Sequence, residues 1–76
     1  MTNLQRQELL RRLPAVDEVL QAPQIKEGVH AHGRTIMVES IREAIQALRR
    51  QILAGQAWDP ESFKDYVVVR ALEIVK

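Results

Sequence analysis

The hydrophobic residues of this chain recur at the three- and four-residue spacing that is typical of α-helices. The longest regular stretch runs over residues 34–54, and its apolar positions fall within about 60° of Ile41 on a helical projection. Those positions are Met37, Val38, Ile41, Ala44, Ile45, Leu48 and Ile52. The spacing predicts one helix of roughly 30 Å, which Gly55 ends as a left-handed cap. We expect this helix to be the centre of the fold, with Ile41, Ile45, Leu48 and Ile52 buried.

Leucine spacing near the start of the chain predicts a first helix over residues 3–12. Its inner side carries Leu4, Leu9, Leu10 and Leu13. Either Thr2 or Asn3 can cap this helix. Pro14 ends the helix, because proline lacks a backbone N–H, and it can stand in the first turn of a second helix over residues 15–21.

Two further helices complete the predicted fold. Residues 24–31 predict a third short helix, although Gly28 lowers the helical propensity of that segment. Residues 59–61 read Asp-Pro-Glu, the order of cap, first-turn proline and first-turn acid that starts a helix. We therefore predict a last helix here, even though the run that begins at Tyr66 favours a strand. The sequence predicts an all-α fold, a small bundle of four to five helices that forms a single domain over residues 1–76.

Composition narrows the class of protein. Apolar residues make up 46% of the chain and aromatic residues only 4%, so the core must consist mainly of Leu, Ile and Val. Cysteine is absent, which excludes a disulfide scaffold and thiolate zinc sites and fits a cytoplasmic location. No apolar run approaches the roughly 20 residues of a membrane-spanning helix. The apolar pattern continues to Lys76 without a helix cap, so we expect the natural chain to be longer.

The side chains that could carry catalysis do not form a recognisable constellation. A nucleophilic hydroxyl needs a nearby base, and the only histidines, His30 and His32, have no triad spacing. On a helix these two histidines would point about 200° apart, so they could share a metal ion only in an extended loop. Trp58 is expected to anchor packing at the start of the last helix, with base stacking as the alternative. We therefore expect no catalytic, cofactor or metal site in this chain.

The net charge is only +1, but the charges are distributed unevenly. Residues 1–13 carry three arginines against one glutamate, and residues 34–55 carry four arginines against two glutamates, so each segment is net +2. The planar guanidinium fork suits phosphate, whereas lysine presents a point charge. If packing brings the two basic segments together, they form a phosphate-contacting surface. The alternative is an ordinary solvated helix surface.

The candidate phosphate contacts lie on two predicted helices. Arg42 and Arg49 are seven residues apart, so they stack beside each other just outside the apolar positions of the long helix. The predicted contacts are Arg42, Arg49 and Arg50, with help from Arg11 or Arg12. We group Arg6 with the last two as one basic edge of the first helix. Arg34 projects onto the apolar side of its helix, where we expect it to cap a carbonyl or to pair with an acid such as Asp17.

Two motifs resemble one bacterial enzyme family. Residues 10–20 read Leu-Arg-Arg-Leu-Pro-Ala-Val-Asp-Glu-Val-Leu. They are similar to the opening motif of bacterial selenocysteine synthases, the L-seryl-tRNA(Sec) selenium transferases, which typically begin with a Leu-Pro-Ala-(Ile/Val)-Asp-x-(Leu/Val)-Leu stretch. The second motif resembles the helix that follows in that family, which ends Arg-x-x-Ile-x-x-Gly. It comprises Gly33, Arg34, Val38, Glu39, Arg42, Arg49, Ile52 and Gly55. Together the two motifs cover most of residues 9–55.

The resemblance implies a function for this chain. The family depends on pyridoxal phosphate and converts serine on tRNA(Sec) to selenocysteine, as a large cytoplasmic ring of identical subunits. Its cofactor lysine and catalytic residues lie in a large α/β domain beyond the segment matched here, so none is carried over. Its small N-terminal helical domain grips the tRNA body and favours tRNA(Sec) over tRNA(Ser). The resemblance therefore implies a tRNA(Sec)-binding domain of a selenium transferase.

Two other functions remain open from the sequence. The main alternative is a helical protein–protein interaction or oligomerisation domain of an unrelated cytosolic protein. A salt-sensitive affinity for tRNA would separate the two. A helix-turn-helix DNA-binding domain is less favoured, because no tight turn from another long helix precedes the predicted long helix. We therefore expect tRNA(Sec) as the partner, and neither DNA nor a membrane.

Overall fold

A computed structural model of the chain describes residues 2–75. Its helices are α1 (Asn3–Arg11), α2 (Val16–Leu20), α3 (Pro23–His32), α4 (Arg34–Leu53) and α5 (Phe63–Ile74), and one 3₁₀ turn, Pro60–Ser62, directly precedes α5. Residues 2–75 contain no strand. The predicted all-α bundle of four to five helices is therefore confirmed. Lys76, where we expect the natural chain to continue, lies outside the described residues.

Local capping defines the start of the bundle. The Gln5 N–H donates to Thr2 Oγ1 over 3.2 Å, and the Thr2 N–H donates to Gln5 Oε1 over 3.0 Å. This reciprocal pair satisfies backbone N–H groups that the first helical turn leaves unpaired. Pro14 does not stand in the first turn of α2 as predicted, because Ala15 is the N-cap of that helix and Pro14 precedes it.

Helix α3 begins at Pro23 and continues through Gly28 without a break. Gly28 is buried, and a Cβ atom at this position would lie 3.0 Å from both Sδ and Cε of Met37. The missing side chain lets α3 and α4 approach closely. Close packing at Gly28 therefore compensates for the low helical propensity of glycine in this segment.

A single residue, Gly33, joins α3 to α4. Its N–H donates to the Val29 carbonyl over 2.9 Å, and its own carbonyl accepts from the Met37 N–H over 3.2 Å. Its backbone angles are φ 93° and ψ 153°, a region that is essentially restricted to glycine. The reversal of direction between the two helices therefore depends on this residue.

Helix α4 provides the centre of the core. Its fully buried apolar residues are Met37, Ile41, Ala44, Leu48 and Ile52. Ile45, which we expected to be buried, is only half-buried, whereas Ser40 is buried and donates from Oγ to the Ile36 carbonyl over 2.8 Å. The buried face of α4 therefore extends toward Ser40 and not toward Ile45. Gln51 Nε2 also donates to the Tyr66 hydroxyl between α4 and α5, over 2.9 Å.

The end of α4 and the start of α5 follow the predicted signals. Gly55 has φ 93°, and its N–H and that of Gln56 donate to the carbonyls of Ile52 and Gln51, which is a Schellman cap. Asp59 Oδ1 accepts from the Glu61 N–H over 3.1 Å and caps the 3₁₀ turn that leads into α5.

The run that begins at Tyr66 is helical, as predicted, and does not form a strand. Trp58 packs on two aromatic rings of α5. Its centroid lies 5.0 Å from that of Tyr66 and 6.1 Å from that of Phe63. The predicted packing anchor is therefore confirmed.

Candidate nucleic-acid interface

The three arginines predicted on α4 all lie on its solvent-facing side. Arg42 and Arg49 are about 20° apart around the helix axis and about 10 Å apart along it. Arg50 lies about 80–100° further around the helix, on the side opposite the core residue Ile41. The three guanidinium groups are therefore directed outward over a broad face of α4, and none of them takes part in the core.

These arginines do not form ion pairs with carboxylates of the same domain. Within residues 2–75, two ion pairs have N···O distances of 4.0 Å or less: Arg11 with Glu8 and Arg70 with Glu73, each at 3.7 Å. Neither pair involves α4, although Glu39 stands three residues before Arg42, a spacing that permits pairing on a helix. The guanidinium groups of α4 are thus available to an external anion.

The two arginines predicted as contacts at the end of α1, Arg11 and Arg12, are exposed. Unlike the arginines of α4, they have acidic side chains beside them. Arg11 pairs with Glu8, and both it and Arg12 line a shallow depression of about 450 Å³ that also contains Glu18 and Glu61. Arg12 also lines a second groove together with Gly55, the second residue after the end of α4. The structure therefore places Arg12 near the C-terminal end of α4, where Arg49 and Arg50 lie, but with its charge partly balanced.

Arg6 does not belong to the exposed edge that Arg11 and Arg12 form, so our grouping of the three was wrong. Arg6 is half-buried, and its Nε atom is buried without a hydrogen-bond partner. Leu4, which we placed on the inner side of α1, is 70% exposed instead. The inner face of α1 is rotated relative to the leucine pattern, since Leu9, Leu10 and Leu13 are the leucines of this region that pack on the core.

Arg34 is exposed at the first position of α4, before the first buried residue of that helix, Met37. Its side chain neither caps a carbonyl nor pairs with Asp17 within 4.0 Å, so both expectations for it were wrong. It lines a depression of about 390 Å³ between α2, α3 and α4. The residues of this depression are Asp17, Leu20, Gln21, Lys26, Val29, His30 and Arg34.

Sequence reasoning missed Lys26 and His30 as members of one basic cluster with Arg34. The sequence contains part of this cluster, because Lys26 and His30 stand four residues apart and therefore face the same side of a helix. The position of Arg34 beside them depends on the one-residue reversal at Gly33, which the pattern of apolar residues does not encode.

Three of the hydroxyl groups in residues 2–75 make hydrogen bonds within the fold. Thr2 caps α1, Ser40 bonds to its own helix, and Tyr66 accepts from Gln51. His30 and His32 both lie on α3 and therefore point to different sides. No group of three or more metal-ligating side chains is found in this part of the chain. No helix within the described range is long and apolar enough to cross a membrane.

An apolar groove of about 660 Å³ separates α1 from the loop that follows α4. Its walls include Leu4, Leu9, Ala57, Trp58 and Pro60, with Gln5, Glu8 and Arg12 at polar positions. The Trp58 Nε1 atom is buried without a hydrogen-bond partner. Arg12 lines this groove, so the groove is adjacent to the basic end of α1.

Comparisons with known proteins agree with the resemblance noted in the sequence. The family model described as "Selenocysteine synthase N terminal" matches residues 10–49, a range that contains four of the five predicted contacts, all but Arg50. No solved structure matches the chain.

Similar curated proteins are enzymes with much longer chains. An L-seryl-tRNA(Sec) selenium transferase of Carboxydothermus hydrogenoformans is 36% identical over 61 residues, which is 80% of this chain and 13% of that enzyme. A Clostridium botulinum protein of the same name (strain Loch Maree / Type A3) is 38% identical over 50 residues, or 66% of this chain and 11% of that enzyme. The chain therefore spans only about an eighth of the length of these relatives.

Proposed function

The chain belongs to the selenocysteine synthase N-terminal family, and from this membership we propose that it is the tRNA(Sec)-binding domain of an L-seryl-tRNA(Sec) selenium transferase. The observation that carries the proposal is the exposed face of α4. Arg42, Arg49 and Arg50 have no carboxylate within 4.0 Å among the described residues, although the chain contains ten acidic groups. An RNA phosphate backbone is the anionic partner that the names of the relatives suggest.

In this proposal the arginines bind phosphates and the fold provides their spacing. Arginine presents several N–H donors in a planar fork that matches phosphate oxygens. Double-stranded RNA is recognised mainly through the shape of its backbone, since side chains cannot enter its deep, narrow major groove. A rigid 20-residue helix that carries Arg42 and Arg49 about 10 Å apart therefore suits recognition of the tRNA body. The arginines at the end of α1, Arg11 and Arg12, have an auxiliary role because acids share their depression.

The catalytic chemistry of the proposed parent enzyme would come from other parts of that protein. Pyridoxal phosphate supplies an electron sink for reactions of amino acids and is held by a lysine. Lys26 and Lys64, the lysines within residues 2–75, are exposed on open surface depressions, which does not fit a cofactor that must be enclosed. We therefore assign no cofactor-binding or catalytic residue to this chain. A cytoplasmic, homo-oligomeric parent that converts seryl-tRNA(Sec) to selenocysteinyl-tRNA(Sec) completes the proposal.

One observation favours a second candidate function. The apolar groove between α1 and the loop after α4 exposes Leu4 and contains Trp58, and such surfaces commonly mark protein contacts. A helical interaction or oligomerisation domain would use this groove and would not need the arginines of α4. The two functions predict different results in the same experiment.

The test is a titration of fluorescently labelled tRNA(Sec) and tRNA(Ser) with the 76-residue chain, measured by anisotropy at several salt concentrations. For three neutralised phosphates, log K should fall against log salt with a slope of about −2 to −3. We expect tighter binding of tRNA(Sec) than of tRNA(Ser). Absence of binding to either tRNA at low salt, together with self-association in sedimentation that is lost on Leu4→Gln, would refute the proposal in favour of the second candidate.

A further inference from the structure

The depression between α2, α3 and the start of α4 collects basic side chains from two helices. Lys26 and His30 stand one helical turn apart on α3, and Arg34 is the first residue of α4. All three are exposed and line the same depression of about 390 Å³, which is ample for a phosphate group. Asp17 of α2 is the one acidic residue in the lining.

We propose that this depression is a second phosphate-binding site for the RNA backbone, formed by Lys26, His30 and Arg34. Lys26 and Arg34 supply positive charge, and the imidazole of His30 supplies a hydrogen-bond donor. None of these three side chains forms an ion pair with a carboxylate within 4.0 Å in the described structure. This inference rests on the proposed function, because it names a further part of the surface that contacts tRNA.

The depression lies apart from Arg42, Arg49 and Arg50, the arginines that we propose as phosphate contacts on α4. Arg34 and Arg42 are eight residues apart on α4, which corresponds to about 12 Å along the helix axis. A phosphate in the depression would therefore be a contact in addition to those that we propose for Arg42, Arg49 and Arg50. This added contact near the start of α4 further restricts the orientation of the bound RNA.

The acidic residue in the lining allows a sharp test. A phosphate bound in the depression is repelled by Asp17, so Asp17→Asn should tighten binding of tRNA(Sec) on the order of threefold. Asp65→Asn is the matched control, since both aspartates lie in the first turn of a helix and Asp65 does not line the depression. A solvated surface with no bound phosphate would give the same affinity for both variants.

The complementary change removes the positive charges. Because the depression holds one phosphate, the double variant Lys26→Ala and Arg34→Ala should lower the magnitude of the salt slope by about one unit. Arg70→Ala, a change of an exposed arginine on α5, should leave the slope unchanged. Far-UV circular dichroism of each variant checks that the fold is retained.

The outcomes separate this inference from the proposed function. Unchanged affinity and slope in the double variant, while Ala substitution at Arg42 and Arg49 weakens binding, would overturn the second site and leave tRNA binding intact. Equal affinities of Asp17→Asn and Asp65→Asn would also overturn it. If the unsubstituted 76-residue chain binds no tRNA under any condition, both proposals are wrong.

Discussion

Removal of the Leu48 side chain tests whether α4 is the centre of the core. Leu48 is 0% exposed and lies among the buried residues of the longest helix. Leu48→Ala deletes three carbon atoms, which corresponds to about 2–2.5 kcal/mol of lost transfer free energy at roughly 0.8 kcal/mol per buried CH₂ group. The cavity that remains adds to this loss, so the expected cost is about 2–5 kcal/mol.

This cost is large relative to the stability of so small a domain. At about 0.05–0.15 kcal/mol per residue, 76 residues correspond to roughly 4–11 kcal/mol. Leu48→Ala should therefore lower the urea midpoint strongly with little change in the slope of the transition. Unfolding can be followed by far-UV circular dichroism and by the fluorescence of Trp58, the only tryptophan, which packs against α5.

Leu53→Ala is the matched control, because Leu53 lies on the same helix and is 48% exposed. We expect a free energy of unfolding within about 1 kcal/mol of the parent for this variant. If Leu48→Ala is as stable as the parent, or if Leu53→Ala costs as much as Leu48→Ala, the assignment of the core face of α4 is wrong.

Three further predictions follow from the other features of the fold. Substitution of alanine at Arg42, Arg49 and Arg50 together should reduce tRNA(Sec) affinity and the salt slope while the circular dichroism spectrum stays helical; unchanged binding by the folded variant would identify this face as merely solvated. Gly33→Ala should cost about 1–3 kcal/mol in urea unfolding, because its backbone angles are accessible essentially only to glycine; a variant with the stability of the parent would refute the strain argument. Addition of pyridoxal phosphate should give no Schiff-base absorbance band, and a band that disappears when Lys26 and Lys64 are changed to methionine would contradict the absence of a cofactor site.

The sequence determined the helices of this protein because their signals act over a few residues. The apolar spacing of α4 and the glycine at position 55 each predicted a feature that the structure contains, and of the two predicted caps for α1, Thr2 is the one that forms. The start signal at Asp59 outweighed the strand propensity that begins at Tyr66. The outward position of Arg42 and Arg49 was also readable, since a residue well outside the apolar side of a long helix cannot reach the core.

The tertiary structure decided which face of each helix is buried and which side chains meet. The leucine pattern placed Leu4 inward, yet Arg6 occupies the inner side of α1 and Leu4 is exposed. On α4, Ser40 is buried and Ile45, which we expected to be buried, is only half-buried, because packing against the other helices decides which side of α4 is covered.

The depression lined by Lys26, His30 and Arg34 is also a product of the tertiary structure. Lys26 and His30 come from one helix and Arg34 from the next, and the one-residue reversal at Gly33 brings them together. Periodicity reports the contacts of a helix with itself, within three or four residues. The rotation of one helix against another depends on the shapes of both packing surfaces, such as the space that Gly28 leaves for Met37, so it is settled only when the helices meet.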